Sequence, residues 1–325
     1  MKYLFLFLPS FIGVPLRRLF GYKIGKGTRI KIGTLILCEN FTIGKNNNIG
    51  PFCLIRGEKV DIGDNNNIKA LSILSAKEII LDSYTHIAPL VIIDGSFTPN
   101  SKFVLGDHSR IFPFSWLDTG EGISIGKQVG IGGHTLIFTH GYWPNYLEGG
   151  PVSFGSVIIE DFVWLPWRVF VMPGVTIGQG AIIGANSTVN KSVPSNSLVA
   201  GSPGKIIKQD INKPLSFLEK KERFFVILND YVRFNINLNW IIMENGLFGE
   251  KFRIDIYPCE PQINSIIVIL DHSIIDETKL SELKSKYTVL LTFKSIAFLK
   301  DKNNDALKFI NFMRRYGIRM SILEN

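Results

Sequence analysis

His140 is the first candidate for a catalytic residue. It lies where a regular sequence pattern ends and a loop begins. His140 closes the segment LIFTH, and the residues that follow, Gly141–Gly155, are rich in glycine, proline and aromatic side chains. An imidazole titrates near neutral pH, so it can take a proton from a hydroxyl or an amine. We therefore predict that His140 is a general base beside a functional loop. The alternative is that His140 only anchors the loop.

Asp118 is the candidate partner of this histidine. It lies in WLDTGEGISIG, 22 residues before His140. A carboxylate at this place could orient the imidazole ring or hold an acceptor hydroxyl. The alternative is a turn aspartate that precedes Gly120.

The remaining histidines indicate no metal centre. We interpret His86, His108 and His272 as polar residues near corners of the fold. His134 and His140 are six residues apart, but no third histidine clearly faces them, and a three-histidine zinc site would need one. We therefore expect no bound metal.

A six-residue rhythm predicts the scaffold that positions these side chains. Between Val157 and Lys208, branched apolar residues recur at every sixth position: Ile159, Leu165, Val171, Ile177, Ile183 and Val189. A helix would need spacings of three and four, and an isolated strand would alternate briefly and then turn. A strict six-residue period instead predicts a repeated parallel β-coil whose sides each point one aliphatic side chain inward.

The rhythm starts near Lys23 with a longer interval. FTIGKNNNIG and VDIGDNNNIK match at an offset of 19, and the same interval separates Ile24, Ile43, Ile62 and Leu81. We expect these segments to be successive coils, with asparagines at corners because asparagine tolerates the left-handed conformation. Stacked coils would also bring Asp118 close to His140.

The chain divides into three parts: apolar residues 1–22, the coil over 23–208, and residues 209–325, where the period disappears. We expect a mainly β protein with a small C-terminal α/β domain, whose role the sequence does not indicate. The spacing of its apolar residues predicts two helices and four strands: Pro214–Phe234 and Asp305–Tyr316, then Phe252–Tyr257, Ser265–Leu270, Thr288–Phe293 and Ile318–Leu323.

The net charge of +8 is mild, and it is scattered along the chain. It suits an anionic cofactor or an anionic membrane face, and it is too weak and too scattered for nucleic-acid binding. The N-terminal segment MKYLFLFLPSFIGVPLRRLFGY is apolar, but its uninterrupted run is too short to span a bilayer. Residues 1–22 are therefore a cap over the open end of the coil, a membrane-contacting segment, or both.

The close of the coil carries the most specific motif. VNKSVPSNSLVAGSPGKIIK is similar to the ending TKDVPPNSVVAGNPAKVIR of the hexapeptide-repeat acyltransferases. The chain resembles the maltose and galactoside acetyltransferase-like group of that family, which includes many sugar and polysaccharide O-acetyltransferases. The resemblance is strong over 105–208, weaker over 23–104 and absent over 209–325.

The resemblance implies a left-handed β-helix, a homotrimer, and acetyl-CoA in the groove between two subunits. It also implies that His140 is the base and that Asp118 serves the acceptor. By the same resemblance, the residues that contact coenzyme A are Ala185, Lys191, Lys205 and Lys208. Trp167 departs from the family pattern, which has small residues beside the pantetheine arm. Either the arm stacks on Trp167 or the groove is altered.

The leading hypothesis is an acetyl-CoA-dependent O-acetyltransferase that acts on a sugar of a surface polysaccharide or lipid-linked precursor. We expect it in the cytoplasm, in peripheral contact with the inner membrane face. An amino-sugar N-acetyltransferase could use the same base. The coil also resembles a γ-type carbonic anhydrase, which binds zinc through three histidines. In this chain no third histidine clearly faces His134 and His140. The non-enzymatic alternative is a trimeric scaffold with a modified coenzyme A groove.

Overall fold

The structure is a computed structural model that describes residues 7–142, 144–234, 240–243, 246–249, 253–257, 265–270, 276–286, 289–292, 296–299 and 304–324. It divides into two compact units, Met1–Asn212 and Lys213–Asn325. The division falls after residue 212 rather than 208 because the intervening segment bonds back to the coil. Ile211 N donates to Asn196 O (3.0 Å), and Asn212 Nδ2 donates to Gly180 O (2.8 Å).

The first unit is a parallel β-helix with three faces, which confirms the mainly β fold and is consistent with the left-handed form. Face 1 contains Lys23–Ile24, Glu78–Leu81, Lys102–Leu105, Ile123–Ile125, Val157–Ile159 and Thr176–Ile177. Face 2 contains Arg29–Ile30, Asn48–Ile49, Asn67–Ile68, His86–Ile87, Arg110–Ile111, Gly130–Ile131, Trp164–Leu165, Ile182–Ile183 and Leu198–Ala200. Face 3 contains Ile73–Ser75, Ile92–Asp94, Trp116–Asp118, Leu136–Ile137, Phe170–Val171 and Thr188–Val189. Two long strands, Leu35–Ile43 and Leu54–Ile62, run through faces 3 and 1, and Lys205–Lys208 closes the coil antiparallel to Leu198–Ala200.

The aliphatic residues of the six-residue period fill the core of the coil. The six that define the period in 157–208 are all buried: Ile159, Leu165, Val171, Ile177, Ile183 and Val189. The predicted interval of 19 is confirmed by the strand register, which aligns Ile24 with Ile43, Ile43 with Ile62, and Ile62 with Leu81. These side chains, together with a second set of buried apolar residues two positions earlier, such as Val163 and Val175, stabilise the coil because their surface is removed from water.

Asparagines occupy corners as expected. Asn46 and Asn65 have positive φ values of 55° and 59°. Asn47 and Asn66 are buried beside them, and Asn66 N donates to Asn47 Oδ1 (2.7 Å). This repeated side-chain bond satisfies backbone groups at the turns between faces 1 and 2.

The excursion Gly141–Gly155 is a hairpin arm rather than an irregular loop. Strand His140–Tyr142 pairs antiparallel with Val152–Phe154, and a short 3-10 turn, Tyr146–Glu148, lies between them. The side chain of Tyr142 and all of Trp143 lie outside the described residues. His140 is therefore the first residue of the arm.

Helix α1, Ser10–Leu19, lies at the start of the coil. Val14 belongs to the coil's core, and Ile30 N donates to Ser10 Oγ (3.0 Å). These contacts join the helix to the first coil, and the predicted role of residues 1–22 as a cap stays a prediction. Residues 1–6 of the predicted N-terminal segment lie outside the described part of the chain.

The second unit has helices α2 (Phe217–Phe234), α3 (Glu277–Lys286) and α4 (Asn304–Met313). Its seven-stranded sheet contains Trp240–Met243, Gly246–Gly249, Arg253–Ile256, Ser265–Ile269, Val289–Thr292, Ile296–Leu299 and Ser321–Glu324, in that order. The two predicted helices and four predicted strands are confirmed with small shifts of their ends. Three strands and helix α3 were not predicted. His272 and Cys259 lie outside the described residues.

Candidate active site

His140 and Asp118 meet where face 3 ends and the arm begins. The Nδ1 atom of His140 is in direct contact with the Oδ2 atom of Asp118. The Asp118 side chain is almost fully buried, whereas 30% of the His140 side chain is exposed. One imidazole nitrogen is thus engaged by the carboxylate, and the exposed part of the ring is accessible from outside the coil. Such a contact can hold an imidazole ring in one orientation and favour one tautomer.

Asp118 is held by its own turn and by the preceding coil. Its Oδ1 atom accepts a hydrogen bond from Gly120 N (2.9 Å). A Cβ atom on Gly95 would lie 2.5 Å from Oδ1, so only glycine leaves room for the carboxylate there. The charge of Asp118 is buried beside a polar partner at each oxygen, which reduces the cost of removing it from water.

The position of His140 is fixed by the base of the arm. His140 pairs with Phe154 across the hairpin, and Gly155 N donates to Thr139 O (3.0 Å). The hydroxyl of buried Thr139 accepts a hydrogen bond from Glu121 N (3.0 Å). The turn after Asp118 is thereby tied to the residue before His140, so the two side chains approach each other on a rigid support.

Three aromatic side chains form a shelf beside the pair. Trp116 and Phe170 begin their strands on face 3, and Phe138 follows the strand between them; the ring centroids of Trp116 and Phe138 are 5.7 Å apart, and those of Phe138 and Phe170 are 5.8 Å apart. Phe138 also makes an edge contact with the His140 ring at 6.5 Å. We call this set the aromatic shelf. Sequence reasoning missed it, although strand alternation places Trp116 outward, two residues before Asp118.

The residues expected to contact coenzyme A lie towards the C-terminal end of the coil. Ala185 stands at the corner between faces 2 and 3, and a Cβ on its neighbour Gly184 would lie 2.7 Å from Ala200, which pairs with Lys205. Lys191 lies at the corner after face 3. His140 lies at the same corner, two coils earlier. Lys208 pairs with Leu198 on face 2. The three lysines are exposed, and their role stays a prediction.

Trp167 occupies the corner between faces 2 and 3. Its ring lies against Gly133 of the preceding coil, where an added Cβ would come within 2.5 Å of it. The ring centroid is 5.9 Å from that of His134, and about half of the Trp167 surface is exposed. The indole is therefore a fixed, accessible aromatic surface at the corner that also holds Ala185 on the next coil.

The other three histidines that the structure describes have structural surroundings. His108 stacks on Tyr84 (4.9 Å) and His134 stacks on Phe114 (4.9 Å). Burial and the nearby positive charges of Arg110 and Lys69 lower the pKa of His86 to about 4. Among the described residues, no group of three histidine, cysteine or acidic side chains could hold a metal ion.

The site and coil described above define a class: a parallel β-helix with an acid-oriented histidine at one corner. No protein-family model matches the chain. Over 93 residues it is 39% identical to a provisionally named acetyltransferase of Schizosaccharomyces pombe, a match that covers 28% of this chain and 45% of that protein. Over 115 residues it is 31% identical to the Escherichia coli K12 protein provisionally named lipopolysaccharide biosynthesis O-acetyl transferase WbbJ, covering 32% of this chain and 58% of that protein.

One solved structure is the complex of the hexapeptide-repeat acetyltransferase VCA0836 of Vibrio cholerae O1 biovar eltor with acetyl coenzyme A. It is 29% identical, covers 39% of this chain and 70% of that one, and has a TM-score of 0.33. The chain spans about half the length of the curated relatives it matches. The predicted resemblance to acyltransferases is confirmed by the sequence matches to the Schizosaccharomyces pombe and Escherichia coli proteins.

Proposed function

We propose that this chain is an acetyl-CoA-dependent O-acetyltransferase that acts on a sugar hydroxyl of a surface polysaccharide or glycolipid precursor. The observation that carries the proposal is the contact between His140 and buried Asp118 at the base of the arm. The names of the relatives support the reaction type, and that of WbbJ supports a glycan acceptor.

The proposed reaction is a direct transfer with His140 as general base. The carboxylate of Asp118 accepts a hydrogen bond from the Nδ1–H group, so the lone pair of Nε2 can take the proton of the acceptor hydroxyl. The acceptor oxygen attacks the thioester carbonyl, an ester bond forms, and the carbon–sulfur bond breaks. The imidazolium then returns its proton to the departing thiolate, which leaves as the free thiol of coenzyme A. The negative charge of Asp118 stabilises the imidazolium between the two proton transfers.

The aromatic shelf supports a sugar acceptor. Trp116 is 46% exposed and adjoins Phe138, which contacts His140. A sugar ring has an apolar face of C–H groups that can pack on an aromatic surface, while its hydroxyls project at the edge. An acceptor on this shelf would present a hydroxyl towards the imidazole.

We propose that the donor is held by Ala185, Lys191, Lys205 and Lys208, with Trp167 against it. Lysine ammonium groups are suitable partners for the phosphates of coenzyme A. We also propose a homotrimer with the donor groove between subunits, which light scattering on the purified chain would test. We further propose that the reaction takes place in the cytoplasm, near the inner face of the membrane.

The test is transfer of an isotopically labelled acetyl group from acetyl-CoA to a panel of sugars and amino sugars, followed by mass spectrometry. The proposal expects a labelled product that mild alkali cleaves, because esters hydrolyse there and amides do not. His140→Gln should abolish it. An alkali-stable product would instead establish N-acetylation. If no acceptor yields a product or causes release of the coenzyme A thiol, the result would support the scaffold hypothesis. The bulky side chain of Trp167 is the observation that suggests that hypothesis.

A further inference from the structure

The exposed side of helix α1 is mainly apolar, and the side that faces the coil carries the polar residues Ser10 and Arg17 beside Val14. Gly13, Val14 and Arg17 are buried, and Ser10 Oγ accepts a hydrogen bond from Ile30 N. At 100° per residue, Phe11, Pro15 and Leu19 lie on the opposite side of the helix. Phe11 and Leu19 are 77% and 80% exposed. A surface helix usually presents polar residues to water, so this orientation is the reverse of the usual one.

The helix is held in this orientation by hydrogen bonds to the coil. Arg18 donates from Nε to Ile24 O (3.0 Å) and from Nη2 to Gly25 O (3.1 Å). Val14 is part of the core. Rotation of α1 to bury Phe11 and Leu19 would break these bonds and expose Val14. The apolar surface is therefore a fixed feature of the helix.

The charged residues of α1 and of residues 23–38 of the coil are all positive. The first 38 residues contain seven lysines and arginines and no acidic residue. Four of the basic residues are exposed on the first coil. Lys23 and Arg29 lie on faces 1 and 2, and Lys26 and Lys31 lie at the corners that follow these faces. An apolar surface bordered by basic side chains is complementary to an anionic lipid bilayer. The apolar side chains can enter the headgroup layer, and the basic side chains can remain among the lipid phosphates.

We propose that the outward side of α1, with Phe7, Phe11, Ile12 and Leu19, docks on the surface of an anionic lipid bilayer. A second copy of the chain is a less suitable partner for this surface. Pairing two such ends would bring two sets of basic side chains together, and these would repel each other. Among the described residues no helix has the length and apolarity to cross a membrane. The inference adds a partner to the proposed function, but its test does not depend on acetyl transfer.

The experiment is co-sedimentation of the full chain with vesicles of phosphatidylcholine, with and without phosphatidylglycerol. The wild-type chain should bind the anionic vesicles and bind neutral ones much more weakly. Phe11→Ser/Leu19→Ser should lose binding at least tenfold. The matched control is Phe162→Ser/Leu218→Ser, which removes one exposed phenylalanine and one exposed leucine elsewhere. It should bind like the wild type.

A second variant tests the charges independently of the apolar side chains. Lys26→Gln/Lys31→Gln should lower binding to anionic vesicles, since each basic side chain near such a surface contributes roughly a fivefold change in partitioning. Equal binding of wild type and Phe11→Ser/Leu19→Ser, or equal binding to both kinds of vesicle, would overturn the proposal. So would a fall in oligomer size on Phe11→Ser/Leu19→Ser, which would show that the surface joins two copies. Circular dichroism would confirm that the variants are folded.

Discussion

Replacing Asp118 with asparagine isolates the charge of the buried carboxylate from its shape. In the wild type, Oδ1 accepts from Gly120 N and Oδ2 contacts His140 Nδ1. Asparagine can preserve the first of these bonds. If its amide NH₂ faces the imidazole, it donates to Nδ1 and favours the tautomer that carries its proton on Nε2. That tautomer cannot take a proton from an acceptor at Nε2.

The expected loss follows from the burial of the pair. A hydrogen bond to a charged group contributes about 1.5–3 kcal/mol, which corresponds to roughly a 10- to 150-fold change in rate if it is realised in the transition state. The wrong tautomer adds to this loss. We therefore expect Asp118→Asn to lower kcat by about a hundredfold or more, with little change in KM for acetyl-CoA.

The assay is release of the coenzyme A thiol, followed with a chromogenic disulfide in the presence of an accepted sugar. Asp94→Asn is the matched control, because Asp94 pairs in register with Asp118 one coil earlier but is exposed, and its carboxylate accepts a hydrogen bond from Gly95 N of its own turn. It should keep activity within a fewfold of wild type. A kcat for Asp118→Asn within threefold of wild type would refute the orienting role. A raised acceptor KM with unchanged kcat would show instead that Asp118 holds the acceptor hydroxyl.

Three further predictions concern the groove, the core and the pH response. Trp167→Ala should weaken acetyl-CoA binding about tenfold, as expected for loss of a stacked aromatic ring; calorimetry showing tighter binding would mean that the ring obstructs the groove. Leu117→Ala, at a fully buried core position, should lower the free energy of unfolding of the coil by about 2–5 kcal/mol, whereas exposed Leu218→Ala should change it by less than about 0.5 kcal/mol in the same denaturant titration; equal effects would contradict the inward assignment of Leu117. Because the pKa of His86 is lowered from 6.5 to about 4, the unfolded chain gains a proton first as pH falls through that window, and stability falls with it by about 1–2 kcal/mol after allowance for solvent screening. His86→Gln should remove this part of the loss in thermal melts at pH 7 and pH 4; an unchanged pH dependence would contradict the burial argument.

The core of the coil could be predicted in part, because the six-residue period marks one buried position in each step, but it did not mark the second, two residues earlier, which Val163 and Val175 occupy. The register of the first coils could be predicted from the 19-residue interval between their repeated segments. The site could be predicted in part: Leu117 pairs with Ile137, so Asp118 lies one coil from the residues just before His140. Spacing could not show that Gly95 leaves room for the carboxylate, since that contact crosses between coils.

Other features had no strong sequence signal. The arm interrupts the six-residue period, so the period says nothing about its internal pairing of His140–Tyr142 with Val152–Phe154. Helix α3 has only Leu280 and Leu283 as apolar residues, too few for a recognisable apolar stripe. The strands Trp240–Met243 and Gly246–Gly249 are short and close together, and short apolar runs are ambiguous between strand and helix.

The most direct test of the account is calorimetric titration of acetyl-CoA into the purified chain and into Lys191→Ala/Lys205→Ala. The account predicts binding in the micromolar range by the wild type and its loss in the variant, because the two ammonium groups are proposed to hold the nucleotide phosphates. No binding to the wild-type chain would contradict acetyl-CoA as the donor, whatever the geometry of His140 and Asp118.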